Sequence, residues 1–175
     1  MTPPLPRGVG AHPALARGIR SAYQGCPEAV AAYVGLSPDT IGQPDPNGLT
    51  PLHYAINPIT PEPEDEEAAA ARAAEIVGLL LGAGADPNAL DGQGHTAPIL
   101  AYAHEQVWLV SAVLARCFAD FVRAGIDLAI ADPEGKTLPH HAAVGGDVST
   151  LQLALEHGFE TGTVDGRGET VRPQP

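Results

Sequence analysis

GAGADPNALDGQG at residues 82–94, RAGIDLAIADPEG at 123–135 and EHGFETGTVDGRG at 156–168 are three versions of one phrase. In each, a glycine (Gly84, Gly125, Gly158) stands seven residues before an aspartate (Asp91, Asp132, Asp165), and a second glycine (Gly94, Gly135, Gly168) follows three residues after that aspartate. Asp45 and Gly48 repeat the second half of the phrase earlier in the chain. The first glycine can take the left-handed conformation that ends a helix. The Asp-x-x-Gly then makes a tight turn, because Asp bonds nearby backbone N–H groups and Gly supplies a positive φ. A threonine comes two residues after each turn glycine (Thr50, Thr96, Thr137, Thr170), and a proline follows three of them (Pro51, Pro98, Pro139). Thr caps a helix N-terminus, and the first helical turn tolerates Pro because its N–H would be unpaired there. The phrase therefore reads as helix end, turn and helix start.

Residues 48–56, GLTPLHYAI, and 135–143, GKTLPHHAA, resemble the T-P-L-H-x-A-A signature of ankyrin repeats, and 79–94 resembles an ankyrin second-helix end with its turn. The spacing from Gly135 to Gly168 is 33 residues, the ankyrin period. The resemblance covers roughly residues 45–170 clearly and 11–44 weakly. It implies an all-α ankyrin-repeat solenoid of stacked helix-turn-helix units with β-turn fingers. About three to four repeats are expected, with a degenerate N-terminal cap and a C-terminal half-repeat. A Pro-rich lead at 1–11 precedes one domain over 12–175, divided into units 12–44, 45–90, 91–131, 132–164 and a half-repeat at 165–175. There are departures. The intervals from Gly48 to Gly94 and from Gly94 to Gly135 are 46 and 41 residues, so the first two units carry insertions. Ile99 stands where the signature places His, and the third unit swaps Leu138 and Pro139.

The walk along the chain predicts helices near 12–24, 27–35, 51–57, 64–81, 97–105, 108–124, 138–144 and 148–157. Ile76, Val77, Leu80 and Leu81 form one apolar stripe, and Leu114, Cys117, Phe118, Phe121 and Val122 another. Val148, Leu151, Leu153 and Leu155 are core candidates in the last helix. Glu64 to Glu67 sit where a helix N-terminus favours anions.

The net charge of -12 repels phosphate backbones and anionic membranes and attracts a basic protein; solubility alone is the plainer reading of the same acidity. Cys26 and Cys117 lack a zinc spacing; Cys117 reads as a buried thiol, and a bridge between the two is left open. Residues 1–10 hold three prolines and no apolar signal region, and no stretch of about 18 apolar residues spans a bilayer, so the expected location is cytoplasmic.

His53 and His140 occupy the TPLH position, where the resemblance implies structural hydrogen bonds between neighbouring turns. His141 beside His140 would point about 100° away on a helix, which disfavours chelation by the pair. GAGAD at 82–86 lacks the Lys-Ser/Thr of a phosphate loop. No catalytic signature stands out, so the expectation is a non-enzyme with no cofactor, no metal, no small-molecule substrate, no nucleic acid and no membrane partner.

In ankyrin proteins the finger tips and the inner face of each first helix form a concave surface for protein partners. Carried over by position, this selects Pro46, Asn47, Leu49 and Asn57; Gln93, His95, Tyr102 and His104; Pro133, Glu134, Lys136 and Val144; and Arg167 and Glu169. Leu49, His95 and Tyr102 suit an interface centre. The insertion at 58–67, with Glu62, Glu64 and Asp65, is a second candidate, its acids facing Lys or Arg on a partner, or else a tolerated surface expansion. The implied function is a non-catalytic binding module. Its narrower form is an acidic immunity protein or inhibitor of a basic toxin or nuclease; the alternatives are an adaptor or secreted effector that binds a host protein, and, least favoured, an enzyme.

Overall fold

In the computed structural model, residues 13–56, 66–103, 107–160, 162, 164, 165, 168 and 170 are described. Among them the chain forms α1 (Pro13–Tyr23), α2 (Pro27–Leu36), α3 (Pro51–Ile56), α4 (Glu66–Gly82), α5 (Ala97–Ala103), α6 (Val107–Ala124), α7 (Leu138–Val144) and α8 (Val148–Glu156). The described residues hold no extended strand, only isolated antiparallel bridges, Leu90 with Thr96, Ala131 with Thr137 and Val164 with Thr170. The described residues are therefore all-α apart from these bridges, and each bridge closes one turn of the repeated phrase.

The punctuation read from the sequence sets the helix ends. Gly84, Gly125 and Gly158 have φ of 95°, 87° and 89°, the left-handed conformation of a helix stop. Prolines open α2 and α3, and Leu138–Pro139 opens α7, where an absent N–H has no consequence. Gly145 and Gly146 separate α7 from α8, and the Oδ1 of Asp147 accepts the N–H of Thr150 at 3.0 Å to cap α8.

Two rows result. The first helix of each pair contacts its counterparts in the order α1, α3, α5, α7, and the second helices do so in the order α2, α4, α6, α8. Each first helix also packs on its successor in the chain. The core runs between the rows. Ile76, Val77, Leu80 and Leu81 of α4 and Leu114, Cys117, Phe118 and Phe121 of α6 are all buried, and Val122 packs partly buried against them. The N-terminal half of α4 presents only alanines to the core, Ala69, Ala70, Ala73 and Ala74, so its neighbours approach closely.

The last helix departs from expectation. Leu151 is buried and Leu153 partly so, but Val148 and Leu155 are 63% and 47% exposed. The buried face of α8 is set by Thr150, Leu151 and Ala154. At about 100° per residue, Val148 and Leu155 fall roughly a quarter-turn or more from the centre of that face. Cys26 and Cys117 are both free thiols, which settles the open question of a bridge. The Cys117 thiol donates to the Val113 carbonyl at 3.2 Å, and burial pushes its pKa up to about 12, so it packs as a small apolar group.

Candidate functional site: the row of turn tips

Each Asp-x-x-Gly turn is organised by its aspartate. Asp45 Oδ1 accepts the N–H groups of Asn47 (2.8 Å) and Leu49 (2.9 Å). Asp91 Oδ1 accepts those of Gln93 (2.9 Å) and His95 (2.8 Å), and Asp132 Oδ1 those of Glu134 and Lys136, both at 2.9 Å. The second oxygen is held by the residue nine positions on, where that residue is polar. Tyr54 donates to Asp45 at 2.8 Å, and His141 Nε2 lies 2.8 Å from Asp132. The equivalent residue in the middle unit is Leu100, which has no polar group, and there the His95 ring approaches Asp91 instead, at 3.4 Å. These aspartates are buried, 5–8% exposed, so their charges serve the turns and are not displayed. Burial alone would raise the carboxyls of Asp91 and Asp132, but the backbone N–H groups and the neighbouring histidines bring both below the ordinary carboxylate value.

The turns stack on one another. Gly92 donates its N–H to the Asn47 carbonyl at 2.8 Å, and Pro133 Cγ lies 3.2 Å from where a Cβ on Gly94 would stand. The tips of the 45–49, 91–95 and 132–136 turns thus form one continuous ridge.

His53 locks the ridge to the helices. Its Nδ1 accepts the Thr50 N–H at 3.1 Å and faces the Thr50 hydroxyl at 2.9 Å, while its Nε2 reaches the His95 carbonyl of the next turn at 3.2 Å. An acceptor Nδ1 and a donor Nε2 define the neutral imidazole. Burial holds His53 below the usual histidine value, opposed by the His95 carbonyl and by Asp91 and Asp45. The stability supplied by neutral His53 is complete above the unfolded value of about 6.5 and is lost as pH falls through the lower folded value. Urea midpoints are therefore expected to drop as pH is lowered from about 7 to about 5, and a His53→Gln variant is expected to show a shallower drop. His140 repeats the first half of this arrangement, with Nδ1 2.7 Å from the Thr137 hydroxyl, and its Nε2 has no hydrogen-bond partner among the described residues. Ile99 takes the same position in the middle unit and is buried, so apolar packing stands in for the hydrogen bonds there.

The residues selected from sequence fall in different settings. Pro46, Asn47, Gln93, Pro133 and Glu134 are exposed on the ridge; Leu49, His95 and Lys136 are half-buried beside it, and Lys136 pairs with Glu134 at 3.4 Å. Val144, at the end of α7, is 60% exposed. Asn57, Glu62, Glu64, Asp65, His104, Arg167 and Glu169 lie outside the described residues.

Tyr102 requires a correction. It is 8% exposed, and its hydroxyl donates to Asp147 Oδ2 at 2.5 Å, so it is an internal brace and not part of an open surface. Burial, and then the facing carboxylate, push its pKa far above the ordinary tyrosine value. Burial would raise Asp147, but the Tyr102 hydroxyl and the Thr150 N–H together lower it. The partner lies 45 residues away in the chain, beyond the reach of local pattern.

Among the described residues, no group of three His, Cys, Asp or Glu side chains comes together to hold a metal ion, and no helix is long and apolar enough to cross a membrane.

Comparison with known proteins bears on this geometry. The ankyrin repeat family model matches residues 47–92. Over 117 residues, 66% of this chain, the sequence is 36% identical to the B-cell lymphoma 3 protein homolog of Mus musculus and likewise to the B-cell lymphoma 3 protein of Homo sapiens. The match spans 22% of the length of each of these relatives. Over these residues the chain is similar to ankyrin-repeat proteins, in keeping with the helix pairs and turns of the described residues.

Proposed function

We propose that this chain is a non-catalytic module that binds a protein partner along the ridge of turn tips, with Pro46, Asn47, Gln93, Pro133 and Glu134 as its exposed contacts and Leu49, His95, Lys136 and Val144 beside them. The observation that carries the reading is the way the tips are held. Their aspartates are consumed by backbone N–H groups, and the turns are hydrogen-bonded to one another, so the outward side chains are presented on a backbone that needs no ordering when a partner arrives. Ankyrin repeats generally mediate protein–protein interaction, which supports the same reading. The proposed architecture is a solenoid of three to four stacked repeats with an N-terminal cap and a C-terminal half-repeat.

The partner presents a basic surface. A net charge of -12 creates a long-range field that steers a cationic protein, while the tips, whose aspartates are buried, contribute largely uncharged contacts. Within this reading, the acidity favours an immunity protein or inhibitor that covers the anion-binding face of a toxin or nuclease.

Affinity capture on the full chain, followed by binding kinetics with each captured protein, tests the reading. The expected result is a basic partner whose association rate falls with salt. The combined Asn47→Ala, Gln93→Ala and Glu134→Ala variant is expected to release it at least about tenfold faster, as loss of central contacts should. Undiminished binding by that variant rejects the ridge, and partners that are all acidic reject the charge argument.

A further inference from the structure

The turns that follow α4, α6 and α8 have the same backbone but not the same side chains, and the difference opens a groove. After α4, Asn88 joins two turns: its Nδ2 donates to the Gly125 carbonyl at 2.9 Å, and its Oδ1 accepts the Asp127 N–H at 2.8 Å. Asn88 stands four positions after Gly84, and Ala129 four positions after Gly125. The local geometry is shared. The Asn88 N–H donates to Asp86 Oδ1 at 2.9 Å, and the Ala129 N–H to Asp127 Oδ1 at 2.9 Å. Ala129 therefore points where Asn88 points, but it cannot reach Gly158 and Glu160, the counterparts of Gly125 and Asp127. At this second junction a groove of about 470 Å³ lies open, walled by Val122, Ile126, Leu128 and Phe159 and edged by the exposed acids Asp127 and Glu160.

We infer that this groove is a second docking site, away from the ridge of tips, for a peptide segment of a partner protein that carries one large apolar side chain between lysines or arginines. The argument is one of complementarity. The walls are apolar and the volume is within the range of about 300–1,000 Å³ usual for binding pockets, so burial of a leucine or phenylalanine supplies affinity. Asp127 and Glu160, in a chain of net charge -12, select basic flanks and exclude acidic ones. At the first junction the Asn88 carboxamide ties the corresponding two turns together.

The test uses the full chain and synthetic peptides: one leucine flanked by two lysines on each side, the same peptide with alanine for leucine, the same with glutamates for lysines, and leucine amide alone. Binding is followed by amide chemical shifts of the labelled protein. The leucine–lysine peptide is expected to bind at least about tenfold more tightly than the other three, to shift the amides of residues 126–129 and 158–160, and to weaken as salt is raised through the range in which the screening length falls below about 10 Å. Ala129→Asn, which supplies the missing staple, is expected to weaken the peptide at least about tenfold without lowering the melting temperature. Glu160→Lys, an exposed change, is expected to weaken the lysine peptide and favour the glutamate one. Shifts confined to the turn tips, equal binding of leucine amide alone, unchanged binding by both variants, or the same shifts on raising protein concentration without peptide would each overturn the inference. Shifts confined to the turn tips would place the peptide on the ridge instead; the other outcomes leave the ridge untouched, and its partner is tested separately.

Discussion

Asp147→Ala is expected to destabilise the fold by about 3 kcal/mol, seen as a lower urea midpoint with an unchanged slope. Two losses combine. The carboxylate caps α8 through the Thr150 N–H, and removal of such a cap costs about 1 kcal/mol. It also accepts the Tyr102 hydroxyl in a site where Tyr102 is 8% and Asp147 5% exposed. A buried hydroxyl left without a partner costs about 1–3 kcal/mol. Tyr102→Phe removes the donor instead and leaves a buried carboxylate short of one bond, a loss of about 2 kcal/mol. The two groups touch, so the double variant is expected to fall well short of the sum, with a coupling of about 1–2 kcal/mol. Additive effects would show that the hydroxyl and the carboxylate do not depend on one another, contrary to the 2.5 Å contact.

Gly48→Ala is expected to be of similar size for a different reason. Gly48 has φ of 82°, where an L-residue is strained by about 1–2 kcal/mol. An added Cβ would also stand 2.3 Å from the Gly92 nitrogen and 2.8 Å from the Asp91 carbonyl carbon. Those are backbone atoms of the next turn, so they cannot rotate aside. The turns must separate, and the hydrogen bond from Gly92 to Asn47 goes with the contact, for a total of about 3 kcal/mol. Gly84→Ala is the control. Its φ is 95°, but nothing lies within 4 Å of the added carbon, so only the conformational strain of about 1 kcal/mol remains. Equal losses at the two positions would mean that the tips do not press on one another.

The helices were legible because their limits are written in residues with few alternatives. Gly84, Gly125 and Gly158 stop helices, Thr and Pro restart them, and the apolar stripes of α4 and α6 follow the helical period. The aspartate turns were legible for the same reason. What linear order concealed were contacts between units. Tyr102 looked like an interface residue because aromatics at such positions suit interfaces; its partner Asp147 belongs to the next helix pair. The bond from His53 to the His95 carbonyl was anticipated only through resemblance. The absence of a staple at Ala129 was visible in the sequence, but it acquires meaning only when Asn88 is seen to bridge two turns. Val148 and Leu155 are exposed because hydrophobicity alone does not carry the direction of the buried face, which the small residues Thr150 and Ala154 decide.

The bracing of each turn by its own aspartate separates two kinds of information in this chain. Shape is encoded at Asp45, Asp91 and Asp132 and at the Tyr54 and His141 that hold two of them. The outward positions 46, 47, 93, 133 and 134 take no part in that bracing through their side chains, apart from a contact of Asn47 with Asp45 at 3.5 Å. The identities at 46, 47 and 93 can drift, or be randomised deliberately, while the scaffold persists; Pro133 packs at Gly94 and Glu134 pairs with Lys136, so these two are more constrained. For the binding ridge proposed above, such a division would let a new target be met by rewriting outward letters while the bracing ones stay.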